Sequence, residues 1–428
     1  MSPRRARPRA VIVVTGSELV RGERTDLNGP YLARALLALG VEPARIHIVG
    51  DEAAELEDAL ARAVEGADLV VTSGGLGPTH DDRTVELVAK VAGLPLRVDP
   101  ELEAEIERFS RTVAERMKRP YADFSEGVTK QATVPETATV LGLAGTAPGL
   151  VVEAAGTPVI ILPGPPPELQ RLWPAALETP AVRAVLDRGT PPLRRTLRFF
   201  GPGESQVAQA FVEAGGDGDG LEVTICARNF EVHVDLVAEP DAEERLLALE
   251  AALGERLGRF LYSSDGRTVE ELVLDRCRER GWMLATAESC TGGLVSAGLT
   301  AIPGSTDVIA GGIVAYANEV KVGELGVAEE LLAAHGAVSA EVAEAMARGV
   351  RERLGVDVGV SVTGVAGPGG ASEEKPVGLV YFHVETPEAS RGGTFSFPGD
   401  RDAIRRRAVV GALHLVRRLL EQSRDSSV

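Results

Sequence analysis

The chain has 428 residues, which is too long for one hydrophobic core and predicts two or three domains. Its formal net charge of −18 repels phosphate backbones and disfavours direct nucleic-acid binding. No apolar run approaches the roughly 20 residues needed to span a bilayer, so we expect no membrane association. The three cysteines lie far apart, which argues against a disulfide framework and predicts a reducing cytoplasm.

The first predicted domain, residues 1–185, alternates strand and helix patterns. The near-continuous apolar runs AVIVVTG, ADLVVTSGG and PVIILPG are typical of buried parallel strands. Between them, LNGPYLARALLALG has helical spacing and a terminal glycine. This alternation predicts an α/β layer fold, with ligands at the carboxyl ends of the strands.

Glycine, hydroxyl and carboxylate residues follow two of these strands, in TGSELVRGERTDLN and TSGGLGPTHDDRT. Carboxylate oxygens suit a hard divalent cation such as Mg²⁺, bound together with substrate phosphates. We predict that the metal ligands are Glu18, Asp26, Asp81 and Asp82, and that substrate binds at Ser73, Gly74, Gly75 and Thr79. The alternative is that Asp81 or Asp82 caps the following helix.

Residues 186–262 have a different character and predict a small α+β connector. LRRTLRFFG, LEVTICAR and FEVHVDLVAE have strand patterns, and DAEERLLALEAALGERLG has the apolar stripe of a helix. The connector contains no constellation of chemically reactive residues.

The third predicted domain, residues 263–428, places Ser289 where the strand WMLATAES meets a helix that begins with two glycines. The backbone N–H groups of Thr291, Gly292 and Gly293 could bind an anion or a developing oxyanion there. Lys321 follows an apolar strand in YANEVK, and a lysine whose pKa is lowered by burial can accept a serine proton. The alternative is that Ser289 only caps the helix.

Two further motifs lie at strand or helix ends in this domain. The Gly-rich run VSVTGVAGPGG could approach a phosphate or ribose closely. Arg401, in FPGDRDAIR near a helix start, could bind a phosphate or carboxylate.

AESCTGG, GGIVAYANEVK, HGAVS, VTGVAGPGG, EEKPVG and FPGDRDAIR resemble, in order and spacing, the C-terminal domain of the CinA family. The stand-alone form of that domain is the nicotinamide mononucleotide amidohydrolase PncC. The resemblance implies an α/β domain that hydrolyses nicotinamide mononucleotide to nicotinate mononucleotide and ammonia without a cofactor. Mapped onto this sequence, the nucleophile would be Ser289, its base Lys321 and the assisting residue Tyr316, with Gly364, Gly367 and Arg401 holding the nucleotide.

GGLGPTHDDRT, KQATVPE, GTAPGL and LPGPPPEL resemble the molybdopterin-binding fold of the MoaB/MogA/MoeA proteins, in the version found at the N-terminus of CinA. This implies a three-layer MogA-like α/β domain and metal-dependent hydrolysis of ADP-ribose to AMP and ribose 5-phosphate. The family also implies a homodimer. One departure is VLGLAGTAPG, which lacks the family's Asn-Pro step before GTAPG; loss of a ligand contact there would alter this activity.

The resemblance therefore implies a bifunctional enzyme that recycles pieces of NAD. Two alternatives remain open. The N-terminal domain could bind a pterin or nucleotide without turnover, or the protein could be a recombination partner linked to competence and DNA damage.

Overall fold

The computed structural model describes residues 7–425, in two compact units that divide between Pro192 and Leu193. In the first unit the strands are β1 (Arg9–Thr15), β2 (Glu42–Val49), β3 (Leu69–Ser73), β4 (Leu96–Val98), β5 (Thr133–Pro135), β6 (Thr139–Leu143), β7 (Pro148–Ala154) and β8 (Thr157–Leu162). Its helices are α1 (Ser17–Val20), α2 (Asn28–Ala38), α3 (Ala53–Gly66), α4 (Thr84–Ala92), α5 (Pro100–Met117), α6 (Ala122–Gln131), α7 (Pro166–Leu177) and α8 (Pro180–Leu186).

Six of these strands form one sheet in the order β2-β1-β3-β8-β7-β6. The first four strands are parallel, whereas β7 and β6 run antiparallel to their neighbours. Alternate residues of β1 enter two different cores: Val11 and Val13 pack on the side of α3, α4 and α5, while Ile12 and Val14 pack on the side of α2, α7 and α8. The predicted three-layer α/β architecture is therefore confirmed, and the carboxyl ends of β1, β3 and β8 lie side by side.

The second unit begins with the connector and continues into a second α/β domain. The connector contains β9 (Leu193–Phe200), α9 (Glu204–Glu213), β10 (Leu221–Arg228), β11 (Glu231–Ala238), α10 (Glu243–Leu257) and β12 (Leu261–Ser263). Its strands form an antiparallel sheet in the order β10-β11-β9-β12, and α9 and α10 pack against this sheet around one apolar core. This is the α+β arrangement that its sequence predicts.

The remaining strands of the second unit are β13 (Leu284–Glu288), β14 (Ile309–Val314), β15 (Val358–Gly364), β16 (Leu379–Glu385) and β17 (Ser390–Ser396). Its helices are α11 (Val269–Arg278), α12 (Leu294–Thr300), α13 (Asn318–Leu325), α14 (Glu329–His335), α15 (Ala340–Leu354) and α16 (Arg401–Asp425). The sheet order is β14-β13-β15-β16-β17, with the first three strands parallel. Helices α11, α12 and α16 cover one face, and α13 and α15 cover the other. Ser289 therefore lies at the carboxyl end of the central parallel strand.

A buried polar cluster joins the connector to α16. The carboxylate of Glu231 accepts hydrogen bonds from Tyr262 Oη (2.7 Å) and His414 Nε2 (2.7 Å), and it lies 3.1 Å from His233 Nε2. The His414 ring is fully buried, stacks on Phe200, and accepts a hydrogen bond from Arg417 at Nδ1. Because Nδ1 accepts a hydrogen bond from Arg417 and Nε2 donates one to Glu231, His414 is the neutral imidazole with its proton on Nε2.

The pKa values of this cluster follow from its burial and its hydrogen bonds. Burial lowers the pKa of His414 to about 4, although Glu231 opposes this. Burial alone would raise the pKa of Glu231, but hydrogen bonds from His233, His414 and Tyr262 outweigh it and set the value at about 2. The folded state thus holds a neutral histidine where the unfolded chain binds a proton near pH 6.5.

We expect acidification from pH 6.5 to pH 4 to destabilise the second unit, because the unfolded state binds a proton that His414 does not. The lowered pKa of Glu231 also stabilises the folded state, but this contribution is lost only below the ordinary glutamate pKa of 4.5. His414 therefore accounts for most of the change in stability between pH 6.5 and pH 4. In His414→Gln, the free energy of unfolding should change less between pH 6.5 and pH 4, by up to about 3 kcal/mol. Urea unfolding of the full chain with Trp173→Phe measures this, since Trp282 then reports the second unit alone.

The exposed His335 provides the matched control, and His335→Gln should leave the pH dependence as it is in the parent chain. Equal slopes for His414→Gln and the parent chain would contradict a neutral buried His414.

Candidate active sites

Ser289 stands at a turn whose conformation depends on two glycines. The five residues of β13 are all buried, and the N–H of Ser289 donates to Val362 O on the neighbouring β15 (2.9 Å). Gly292 (φ +61°) and Gly293 (φ +96°) then adopt left-handed backbone, which side chains disfavour, and α12 begins at Leu294. The Ser289 side chain remains partly exposed at this strand end.

Lys321 is buried with only 1% of its surface exposed, and its amine lies against Ser289. Nζ is 3.3 Å from Ser289 Oγ, 2.7 Å from Ala315 O and 3.1 Å from Tyr316 O. Burial lowers the pKa of Lys321. A neutral amine has two N–H groups, which can donate hydrogen bonds to the two carbonyls. Its lone pair is then free to accept the proton of the Ser289 hydroxyl.

The free backbone N–H groups at the start of α12 are already hydrogen-bonded by a side chain of the protein. The carboxylate of the buried Glu288 accepts hydrogen bonds from the N–H groups of Gly293 (2.9 Å), Val295 (3.0 Å) and Ser296 (2.8 Å). The N–H of Gly292 donates to Ser289 O (3.2 Å). Two of the three predicted anion donors, Gly292 and Gly293, are therefore already engaged. The N–H of Thr291 has no acceptor among residues 7–425.

Cys290 and Arg405 define the other side of this turn. Burial raises the pKa of the Cys290 thiol to about 12, so it is protonated at neutral pH and does not compete with Ser289 as a nucleophile. Arg405 was not predicted from the sequence, but its Nε donates to Cys290 O (3.2 Å) and its Nη2 to Thr291 O (2.9 Å). Its position four residues after Arg401, on the same face of α16, was the available signal.

Of the remaining predicted residues of this domain, three meet at Arg401 and the fourth, Gly364, packs inside the sheet. Arg401 donates to Gly367 O (2.6 Å) and to Tyr316 Oη (3.1 Å), so these three residues meet. The Tyr316 ring is 61% exposed, and it is the Tyr316 carbonyl rather than its hydroxyl that contacts Lys321. Gly364 has a packing role, because a Cβ there would lie 2.7 Å from Leu379 O.

In the first unit, the predicted glycine and hydroxyl residues lie at the end of β3. A Cβ on Gly74 would lie 2.6 Å from Thr15 Oγ1, and one on Gly75 would lie 2.2 Å from Thr84 Oγ1, so only glycine fits at either position. Ser73 is fully buried and its Oγ donates to Pro163 O (3.3 Å).

The four predicted metal ligands separate into two pairs. Glu18 and Asp26 line one cavity of about 450 Å³. Asp81 and Asp82 both accept from the Thr79 hydroxyl, and Asp82 lines a second cavity of about 220 Å³. Within the described residues, no three histidine, cysteine or acidic side chains are grouped so as to hold a metal ion. Glu18 and Asp26 thus line one cavity and Asp82 another, and metal binding at these residues stays a prediction.

The capping alternative applies to a different carboxylate from the one expected. Asp26 Oδ1 accepts from the N–H groups of Asn28 (2.9 Å) and Gly29 (3.0 Å) at the start of α2. The first turn of α4 has no side-chain cap, so neither Asp81 nor Asp82 serves that helix.

Asn28, which the sequence analysis did not select, lines the larger cavity together with Glu18 and Asp26. Its Nδ2 donates to Ser73 Oγ (2.8 Å) and Gly164 O (2.6 Å), and this carbonyl contact fixes the amide orientation. The buried Oδ1 has no hydrogen-bond partner in the described part of the chain. Two carboxylates and an unpartnered amide oxygen fit a hard cation that takes its other ligands from water and phosphate.

Family models match three consecutive stretches of the chain. Residues 11–184 match a probable molybdopterin binding domain, residues 194–263 the damage-inducible protein CinA KH domain, and residues 266–420 the CinA C-terminal domain. A CinA-like protein of Mycolicibacterium paratuberculosis is 46% identical over 430 residues, which cover 96% of this chain and 98% of the relative. The chain belongs to the CinA family.

The chain is also similar to a second curated relative and to a solved structure. A CinA-like protein of Mycobacterium leprae is 44% identical over 427 residues, covering 97% of this chain and 98% of the relative. The solved competence/damage inducible protein CihA of Agrobacterium tumefaciens is 40% identical and covers 36% of this chain and 95% of its own, with a TM-score of 0.35. Among the described residues of this CinA family member, no helix has the length and apolar character needed to cross a membrane.

The burial of the thiols gives a direct test of the turn at Ser289. Of the three cysteines, Cys226 is exposed, whereas Cys277 and Cys290 are buried. We expect a thiol reagent to label one cysteine per native chain rapidly and all three after denaturation. Labelling followed by absorbance measures this.

In Cys226→Ser, rapid labelling of the native chain should disappear. Rapid labelling of Cys290 in that variant would contradict its burial and reintroduce a second nucleophile at the turn.

Proposed function

We propose that the C-terminal domain hydrolyses nicotinamide mononucleotide to nicotinate mononucleotide and ammonia, without a metal. The observation that carries the proposal is the 3.3 Å approach of the buried Lys321 amine to Ser289 Oγ, with two carbonyls accepting the amine's N–H groups. Such a pair supplies both the nucleophile and the base that a carboxamide requires.

The reaction proceeds through an ester of Ser289. Oγ attacks the carboxamide carbon while its proton passes to Lys321 Nζ, and the N–H of Thr291 binds the resulting oxyanion. Lys321 returns the proton to the departing ammonia. A water molecule, deprotonated by Lys321, then cleaves the ester and releases the carboxylate. Arg401, beside Gly367 and Tyr316, offers its positive charge to the nucleotide phosphate.

We propose for the N-terminal domain the hydrolysis of ADP-ribose to AMP and ribose 5-phosphate with a divalent cation. Glu18, Asp26 and Asn28 would hold the cation, which when bound neutralises the diphosphate and activates water. Gly75, which is only partly buried just after β3, offers backbone that a substrate could approach, whereas Gly74 is buried against Thr15. Lys130 lines the neighbouring cavity with Asp82 and adds a positive charge for phosphate.

A non-catalytic binding module remains the alternative for this domain. A nucleic-acid role finds less support in the connector, although its family description names a KH domain. KH domains clamp nucleic-acid backbones with a Gly-rich loop. The Gly-rich run of this connector, GGDGDG between α9 and β10, carries the acidic residues Asp217 and Asp219, and Asp219 forms an ion pair with Arg245 (2.9 Å). Acidic side chains in such a loop would repel a phosphate backbone.

The intact protein should release ammonia from nicotinamide mononucleotide in the presence of EDTA. Ser289→Ala and Lys321→Ala should each lower kcat by at least about 10³-fold, because either change removes the nucleophile–base pair. In the wild type, kcat/KM should rise with pH and level off above the lowered pKa of Lys321, since only the neutral amine accepts a proton. A coupled ammonia assay measures both effects.

The exposed Glu319 lies on the same helix as Lys321, and Glu319→Gln is the matched control, which should keep full activity. Undiminished ammonia release by Ser289→Ala would refute Ser289 as the nucleophile.

ADP-ribose should yield AMP only when Mg²⁺ is present, and Glu18→Gln should raise the Mg²⁺ concentration for half-maximal activity by about tenfold or more. Glu23→Gln, an exposed change in the same loop, should have no effect. Chromatography of the nucleotides measures the products. Saturable ADP-ribose binding without AMP formation would instead establish a binding module.

A further inference from the structure

The side chain of Arg405 connects α16 to the turn that follows Ser289. It is partly buried, and its two donors reach two consecutive carbonyls, Cys290 O (3.2 Å) and Thr291 O (2.9 Å). The only carboxylate described near its guanidinium is the largely exposed Asp402, at 3.8 Å. Most of its hydrogen-bonding capacity is thus directed at the turn rather than at a counter-charge.

These contacts determine the direction of specific N–H groups. In a trans peptide the C=O and the following N–H lie in one plane and point in opposite directions. Because Arg405 holds the Cys290 carbonyl, the N–H of Thr291 points away from the guanidinium. The Thr291 carbonyl is held likewise, and the N–H of Gly292 in that peptide donates to Ser289 O (3.2 Å).

The two peptides therefore have different functions. The Thr291–Gly292 peptide closes the turn, whereas the Cys290–Thr291 peptide has a fixed N–H with no acceptor among the described residues. A cation on the carbonyl side of a peptide also polarises it and strengthens the N–H as a donor. Both effects are what an oxyanion-binding group requires.

We infer that Arg405 is a positioning residue that aligns and polarises the Thr291 N–H toward the oxyanion formed on Ser289. This inference rests on the proposed amidohydrolase activity. Arg405 differs in this role from Arg401, which contacts Gly367 O and Tyr316 Oη and is proposed to hold the nucleotide. The two arginines, one turn apart on α16, thus affect different kinetic parameters.

The test is the kinetics of ammonia release by Arg405→Ala and Arg405→Lys, beside Arg401→Ala and the exposed neighbour Arg406→Ala. Removal of an oxyanion donor lowers kcat by about 10²–10³-fold, so its misalignment in Arg405→Ala should lower kcat by about 10- to 100-fold with KM changed less than threefold. Arg401→Ala should mainly raise KM, and Arg406→Ala should resemble the wild type.

A purely structural role for Arg405 is distinguished by rescue. Arg405→Lys keeps one cationic donor and should recover part of kcat, and added guanidinium should raise kcat of Arg405→Ala but leave Arg406→Ala unchanged. Should Arg405→Ala fail to fold, the kcat of Arg405→Lys decides, and a value within twofold of the wild type would overturn the inference.

A rise in KM with kcat retained in Arg405→Ala would also overturn it, since Arg405 would then bind the nucleotide. Ammonia release by the wild type that persists undiminished in Arg405→Ala would refute the inference alone. No release by the wild type would refute the proposed function and this inference together.

Discussion

The burial of the Lys321 amine is the constraint on which the C-terminal site depends. A buried ammonium costs several kcal/mol, so the fold must either pair the charge or favour the neutral amine. No carboxylate forms an ion pair with Lys321 among the described residues, and the carbonyls of Ala315 and Tyr316 accept its hydrogens. Those carbonyls follow directly from β14, and α13 begins at Asn318 to bring Lys321 back toward them. Burial without a counter-charge therefore lowers the pKa of the amine, and the strand-to-helix turn places it beside Ser289.

Helix α16 extends this organisation to the connector. Its first two turns carry Arg401 and Arg405 at the site, and further along the helix His414 enters the buried cluster with Glu231. Phe200 and Tyr262 of the connector belong to the same apolar core as α16, which explains why the connector and the C-terminal domain form one compact unit.

The sequence predicts well what local patterns determine and poorly what long-range contacts determine. Apolar strand runs and motif order led to the three-layer fold and to the pairing of Ser289 with Lys321. Arg405 contacts residues that precede it by more than 110 positions, and Asn28 contacts Gly164, which lies 136 positions away, so no local pattern marks either residue. For Glu288 the local pattern is misleading, because its place next to Ser289 in the sequence is typical of a catalytic carboxylate. In the structure it caps α12 instead, and it leaves only part of the predicted anion site free.

The charges of the two sites argue for different chemistry. The C-terminal site gathers the guanidinium groups of Arg401 and Arg405 beside the amine of Lys321, whose pKa is lowered by burial. The carboxylate of Glu288 accepts hydrogen bonds from backbone N–H groups, so an anionic ligand would meet the positive charge of the two arginines there. The cavity of about 450 Å³ in the N-terminal domain is lined by Glu18 and Asp26, with Arg24 as the one cation among its lining residues. Asn28 also lines it, and the Asn28 Oδ1 is buried without a hydrogen-bond partner among the described residues. A diphosphate would be repelled by such a lining unless a cation lay between them. If both domains bind nucleotides as proposed, side chains would compensate the anion in the C-terminal domain, whereas a bound cation would be needed in the N-terminal domain.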